Sequence, residues 1–576
     1  MMSPNLAQPI YHQNMRKIAQ FCGIPALILL SWGGILNPLF LNPLAAQNLP
    51  NPNPNFPPPD PPSPLPPPEE LLTPPSPPTP LRETLPPDRI TVTRYEVRGS
   101  TVFSEEQLQA ITAPFTGEGV TFDQLVAARS AVEQLYLEHQ YLTSGAYLPL
   151  QTIQGGVVII QVVEGRIAEI EMQGLNRLPE QYIRRRLPNA QRVPLHLPSL
   201  EEEIQLLQQN PLIAGISANL IEGENPGENV LDVTVQEASP WQVQVGVTND
   251  RVPTVGTVEG YGMISWGNVG GWGDRLGGSY RRSEGSEGWE VSYALPLNAQ
   301  EGTLGLRYNL TNSRIIDPVF EILQISSRSR YWELTVNQPV VRSLREEFTL
   351  GFSLSHQVNE TFLQDIPFPL SVGADSRGVT RVSVLGFSQT WLRRSEKSAI
   401  ALRSQFNWGV NLLDPTRNNT PPDGRFFTWL GRLQWVHRLT PDTTLILRGT
   451  YQWADRPLLG VQQLSVGGRN TVRGYRQDLS LGDHGFYSTL ELQFPLARLP
   501  EDRGTLYLTP FLDYGRTWRQ GAESVNTLAG LGTGMIWQIG DSFQARLDWG
   551  VPVLNASSSV GTWQEQGLHF SLQLSY

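Results

Sequence analysis

Hydrophobic and polar positions change rhythm near residue 240. Beyond it, period-two alternation dominates. "WQVQVGV" sets Trp241, Val243, Val245 and Val247 on one side, with Gln242 and Gln244 on the other. "TLELQF" sets Leu490, Leu492 and Phe494 against Glu491 and Gln493, and "SFQARLDWGV" sets Phe543, Ala545, Leu547 and Trp549 against Gln544, Arg546 and Asp548. The last stretch, "HFSLQLSY", places Phe570, Leu572, Leu574 and Tyr576 on one side. Successive strand side chains point to opposite faces, so each stretch predicts a strand with one apolar and one polar face. A soluble sandwich alternates as well. Here the polar face carries charges in many strands, which suits a wet lumen. Fourteen of the fifteen tryptophans lie at or after Trp241, which matches the aromatic girdles of a membrane barrel. Positions 240–576 number 337; at about 21 residues per strand and connection they make about sixteen strands, the even number that a closed single-chain barrel requires.

Ahead of this region the chain repeats itself. "YEVRGSTVFSEEQL" begins at Tyr95 and "IEMQGLNRLPEQYI" at Ile170, seventy-five residues later. Gly99 aligns with Gly174, Glu105 with Glu180 and Leu108 with Ile183. Each copy reads strand, glycine turn, helix. A second helix follows in each, from about Thr121 in the first copy. In the second, Leu200, Ile204 and Leu207 share one helical face. Strands close both copies: "GVVIIQVVEG" and "NVLDVTVQE". Two β-α-α-β-β units are predicted, over 90–165 and 166–238, with sheet edges free for strand addition.

The first ninety residues carry no such pattern. Residues Pro50–Pro87 hold nineteen prolines in thirty-eight positions. Proline lacks an N–H and fixes φ, so 47–89 is expected to be an extended tether without helix or sheet. Residues 1–46 read as an export signal: Arg16 and Lys17, an apolar stretch from Ile24, and Ala45–Ala46 ahead of Gln47. Its removal takes Cys22, the one cysteine. The net charge of −11 argues against a nucleic-acid binder. No HExxH, CxxC or GxSxG spacing occurs, so neither metal, cofactor nor catalytic constellation is expected and the chain does not read as an enzyme.

One connection breaks the barrel pattern. Residues from about 456 to 485 separate two strands and contain "GGRNTVRGYRQD". Connections of this length are uncommon and usually functional. Gly467, Gly468 and Gly474 permit a folded-back course. In "TLYLTPFLDYGRTW", alternation puts Leu506, Leu508, Leu512 and Tyr514 toward lipid and Phe511, Asp513 and Gly515 toward the lumen, with Pro510 marking a bulge. An arginine loop beside an inward carboxylate suggests a charge-assisted pair. A solvated Arg473 and a generic lumen acid fit the pattern equally well.

At these residues the chain resembles the two-partner secretion transporters, the haemolysin/haemagglutinin secretion-activation family, within the wider group of outer-membrane barrels that carry POTRA domains. The hallmarks are Val472-Arg473-Gly474-Tyr475 and Phe511-Leu512-Asp513-Tyr514-Gly515. "AYLP" (Ala146–Pro149) and "VVEGRI" (Val162–Ile167) resemble the family's first POTRA domain. The resemblance implies a sixteen-strand antiparallel membrane β-barrel at 239–576, preceded by two periplasmic POTRA domains. It also implies that the loop folds into the barrel and that Arg473 pairs with Asp513. The family often has a plug helix ahead of POTRA, and the proline-rich segment has no helical periodicity. Pore closure then falls to the loop, or the proline segment threads the lumen.

The function expected is export of an unfolded exoprotein, recognised through an N-terminal secretion domain, across the outer membrane of a Gram-negative-type cell. Outer-membrane lipid, and the barrel-assembly machinery during biogenesis, are the other expected partners of a monomer. Phe570, Leu572, Leu574 and Tyr576 are read as the assembly signal. An insertase of other barrels shares the same architecture. A passive porin explains the barrel but not the repeat or the loop.

Overall fold

The computed structural model describes residues 63–65, 72–73, 89–318, 320–500, 503–521, 525–554 and 561–576. The export-signal reading and most of the proline-rich segment lie outside the described residues.

In the first unit, β2 (Ile90–Val92) and β4 (Gly117–Val120) form a separate antiparallel pair, and β3 (Arg94–Arg98), β6 (Val157–Val163) and β5 (Gly145–Tyr147) form a sheet in that order. Two helices, α1 (Glu105–Thr112) and α2 (Phe122–Glu138), accompany them. Both begin with a capping box, Ser104 with Gln107 and Thr121 with Gln124, which satisfies otherwise orphaned N–H groups. The second unit repeats the plan with β7 (Arg166–Gln173), α3 (Glu180–Arg184), α4 (Leu197–Gln208), β8 (Ile213–Glu222) and β9 (Glu228–Glu237). Gly99 and Gly174 have φ of +86° and +82°. A Cβ on them would lie 2.5 Å from the Val162 carbonyl oxygen and 2.1 Å from that of Val235, which are equivalent positions of the repeat. Only glycine fits there. Each unit has its own core: Tyr95, Leu108, Val132 and Ile160 in the first, and Ile170, Ile183, Ile204 and Val233 in the second.

The expectation that the proline-rich segment forms no sheet is corrected at one point. Leu72–Thr73, here β1, pairs in parallel with Ala218 and Asn219 of β8. The run from Glu69 to Thr73 contains no proline, so its N–H groups are free to join a ladder. Leu65 N–H donates to the Ser395 carbonyl at 3.1 Å, on a turn at the POTRA-side rim. The described parts of the segment thus lie on the second unit's sheet and at the rim, not inside the lumen.

The sixteen wall strands are β10 (Trp241–Thr248), β11 (Glu259–Gly267), β12 (Arg275–Ser283), β13 (Ser286–Pro296), β14 (Thr303–Arg314), β15 (Ile325–Arg342), β16 (Glu346–Leu363), β18 (Val379–Arg394), β19 (Ser398–Gly409), β20 (Phe427–Thr440), β21 (Thr443–Ala454), β24 (His484–Arg498), β25 (Thr505–Trp518), β26 (Val525–Ile539), β27 (Phe543–Pro552) and β28 (Leu568–Ser575). A two-residue β17 (Ile366–Pro367) extends the β16 hairpin. Every wall pairing is antiparallel, and β28 meets β10 to close the barrel. Trp241, Val243, Val245 and Val247 are exposed on the outside, as are Leu572 and Leu574. Pro510 keeps regular register with Thr533; the irregularity falls instead on the partner strand, between Pro495 and Ala497. Pro510 alternates with the inward Phe511 and so faces outward; lacking an N–H it gives up one ladder donor without forcing an extra residue into its own strand.

The second unit docks on the barrel. Arg186 Nε lies 2.8 Å from Glu301 Oε1, and its guanidinium carbon stands 3.6 Å over the Tyr182 ring. The Asn268 amide donates to the Arg177 carbonyl at 2.8 Å. These contacts fix which rim faces the POTRA units.

Candidate functional site: the inward loop and its anchor

Between β21 and β24 the chain turns into the barrel instead of arching over it. Contrary to a structureless loop, it forms a hairpin of β22 (Leu464–Val466) and β23 (Ser480–Gly482). The tip runs from Gly467 to Leu479. Gly467, Gly468 and Gly474 have φ of +120°, +100° and +92°, a region that L side chains avoid. Leu464, Val466, Val472 and Tyr475 pack with Tyr487 and Leu528 into a buried apolar cluster. Burial of this kind gives the hairpin an adhesive face toward the wall.

Among the described residues Arg473 is the largest fully buried side chain, at 2 % exposure. Its Nε and Nη2 donate to the two Asp513 oxygens at 2.7 and 2.9 Å, and its backbone N–H adds a third bond to Asp513 at 3.0 Å. The fork geometry of arginine matches a carboxylate in this bidentate way. Nη1 donates to Glu491 at 2.7 Å and to Asp548 at 3.3 Å. The guanidinium carbon stands 3.3 Å over the Phe511 ring, a cation–π contact. Arg546 completes the group, donating to Glu491 at 2.8 Å and to Asp548 at 2.7 and 2.9 Å. Two arginines and three carboxylates therefore interlock, so that each buried charge has an opposite partner, as burial demands.

The wall is cut to receive the tip. Gly515, Gly530 and Gly550 face it. A Cβ on Gly530 would lie 2.0 Å from the Arg473 carbonyl oxygen; on Gly550, 2.6 Å from Gly474 N; on Gly515, 2.6 Å from Val466 Cγ1. The Tyr475 hydroxyl sits between the carbonyls of Ala529 and Leu554, at 2.9 and 2.7 Å. All seven residues read from the sequence as loop and lock, Val472, Arg473, Gly474, Tyr475, Phe511, Asp513 and Gly515, thus meet at one place. Phe570, Leu572, Leu574 and Tyr576 lie elsewhere, on the closing strand. Tyr576 and Val243 exchange two backbone bonds, each 2.8 Å.

Sequence reasoning missed Glu491, Asp548, Arg546, Gly530 and Gly550. Part of the signal was present: "RLDWG" (Arg546–Gly550) repeats the Leu-Asp-aromatic-Gly order of "FLDYG" (Phe511–Gly515). Both strands offer an inward Asp followed two positions on by an inward Gly.

The haemolysin secretion/activation protein ShlB/FhaC/HecB family matches residues 227–536, more than half of the chain. The POTRA domain of ShlB type matches residues 90–165. The outer membrane transporter CdiB of Escherichia coli O6:K15:H31 (strain 536 / UPEC) is 26 % identical over 483 residues, 80 % of this chain and 80 % of that protein. The heme/hemopexin transporter protein HuxB of Haemophilus influenzae is 21 % identical over 467 residues, 78 % and 81 % of the two chains. The solved structure of CdiB from Escherichia coli superposes with a TM-score of 0.65 at 20 % identity, covering 87 % of this chain and 93 % of that one; this likeness speaks for the fold. Docked POTRA units, a closed sixteen-strand barrel and a match through most of that barrel together place the chain in the haemolysin secretion/activation protein ShlB/FhaC/HecB family.

Proposed function

We propose that this chain is an outer-membrane transporter of two-partner secretion, exporting an unfolded exoprotein to the cell surface or medium. The observation that carries the reading is an arginine loop seated inside a barrel that has POTRA units docked at one rim, in a chain of this family. The barrel lies in the outer membrane of a Gram-negative-type cell, in contact with its lipid, and the POTRA units lie in the periplasm. They take up the cargo's N-terminal secretion domain by strand addition, in which main-chain hydrogen bonds supply affinity. In the described residues β3 and β5 edge the first sheet and β7 the second, while β8 already carries β1. Arg473 and its carboxylates hold the loop in the transport-competent position. The chain works as a monomer and catalyses no covalent step. Phe570, Leu572, Leu574 and Tyr576 form the signal read by the barrel-assembly machinery during biogenesis.

An insertase of other barrel proteins would use the same parts. The relatives named as transporters favour secretion. Deleting the gene and comparing the secreted and outer-membrane proteins separates the two. Loss of one or two large secreted proteins is the expected result. A general loss of outer-membrane barrels would overturn the reading in favour of the insertase.

A further inference from the structure

The loop tip has a second set of anchors, away from Arg473. Arg469 Nε lies 3.2 Å from Oδ2 of Asp250, two residues past the end of β10. Both side chains are largely buried, 14 % and 9 % exposed. On the other flank of the tip, Gln477 N–H donates to Oε1 of Gln564 at 3.0 Å. Gln564 is fully buried and stands four residues before β28. Its Nε2 donates to the Arg251 carbonyl at 2.7 Å and also contacts the Asn249 carbonyl. Asn249 in turn extends the strand closure with its side chain: Nδ2 donates to the Leu568 carbonyl at 2.9 Å, and Phe570 N–H donates to Oδ1 at 2.7 Å. The end of the first wall strand, the start of the last and both flanks of the loop tip meet at one corner.

That corner terminates the closing seam of the barrel. The β10–β28 ladder registers five residue pairs, against eight for β10–β11 and seven for β27–β28. A short ladder has fewer backbone bonds to resist opening, so side-chain fastenings at its end carry more weight. Asp250 faces Arg469 as its cation. If the loop withdraws, a buried carboxylate is left without its cation, and the segment after β10 must move to rehydrate it.

We propose that Arg469, Asp250 and Gln564 clasp the loop to the barrel seam, so that the loop holds the first and last strands together and cannot leave its seat without loosening them. These are positioning residues and touch no cargo. The clasp belongs to the folded barrel and stands whatever the barrel transports.

Hydrogen exchange on the full-length protein in detergent tests it. Asp250→Arg and Arg469→Asp each bring like charges together. Each is expected to speed exchange of the β10 and β28 amides by about tenfold or more, to leave β14–β16 unchanged, and to reduce secretion. The swapped pair, Asp250→Arg with Arg469→Asp, is expected to restore slow exchange and secretion. Seam amides that stay slow in the single variants, or a swap no better than either single, would overturn the proposal. So would reduced secretion with unaltered seam exchange, a result that leaves the transport reading standing. Heat-modifiable migration on gels reports whether each variant folds. If a reversal does not fold, Arg469→Gln and Gln564→Ala carry the same readout, and an unchanged seam in both overturns the clasp.

Discussion

Arg473 serves three carboxylates at once, Asp513, Glu491 and Asp548. Asp513 was legible as an inward carboxylate on a neighbouring strand. Glu491 and Asp548 were legible as polar-face residues, but their convergence on Arg473 depends on strand register and barrel curvature, which no local pattern encodes. The three-carboxylate site changes the expected mutant hierarchy. Arg473→Ala strips three acids of a shared cation: Arg546 still serves Glu491 and Asp548, while Asp513 loses the guanidinium that pairs it. For a buried pair broken on one side the cost is about 3–5 kcal/mol, here borne by the seated-loop state. Asp513→Ala is expected to cost less, because Arg473 keeps Glu491 and Asp548. The double variant should be no worse than Arg473→Ala, since both changes remove the same contact. Secretion assays on variants with intact heat-modifiable barrels check this; additive defects would mean that the two residues act separately. Glu203, on α4 of the second unit, gives a pH test outside the membrane. Burial pushes its carboxyl up to about 7, against opposing bonds from the backbone and side chain of Asn189. Between the ordinary carboxylate value and that pH, the folded unit holds a proton that the unfolded chain has released. Stability therefore falls as pH rises across that window. Melting temperatures of the POTRA pair at pH 5 and pH 8 should differ in that sense, and Glu203→Gln should flatten the difference.

At the scale of elements, strand faces were readable because lipid outside and water inside enforce period two. The hairpin inside the loop was not readable, because β22 and β23 are three residues each and buried on all sides. The wall glycines were unreadable for a related reason. Glycine in a strand ordinarily weakens it, and only the loop's close approach explains Gly530 and Gly550. This predicts an inversion of the usual propensity. Gly550→Val improves strand propensity, yet its side chain meets backbone atoms of Gly474 and Arg473 at 2.6 and 2.8 Å. The variant should fold as a barrel and lose secretion, with the tip exposed to added protease. A protected tip would show that the wall yields. The last strand makes the opposite case. Removing Tyr576 deletes two backbone bonds to Val243 from an already short ladder. It should lower the amount of folded barrel in the membrane, and an unchanged heat-modifiable band would exclude that role.

For the whole molecule, the composition break near residue 240 and the seventy-five-residue repeat separate POTRA units from barrel. They do not tell how firmly the two are joined. The structure gives both sides of that question. Each POTRA core is closed within its own unit, and the short segment after β9 is held internally: the Arg177 guanidinium donates to the Ala238 carbonyl at 2.5 Å, and Glu237 accepts N–H bonds from Asn176, Arg177 and Leu178 at 2.7–2.9 Å. Against this, the barrel supplies Glu301 to Arg186 and to Asn210, and Glu202 reaches the Leu344 N–H at 3.2 Å. Beside these polar contacts, Leu212 and the Tyr182 ring close on Gly267 and Gly273 of the barrel rim, a small area next to two apolar cores. In the isolated fragment water solvates Arg186, Asn210 and Glu202 in place of the barrel's groups, so no charge is left buried without a partner. Residues 90–238 are therefore expected to fold alone as a soluble fragment. Circular dichroism should show mixed helix and sheet with cooperative melting. A coil-like spectrum would mean that the barrel rim completes the POTRA fold, and that the docking contacts hold up the second unit as well as aiming it.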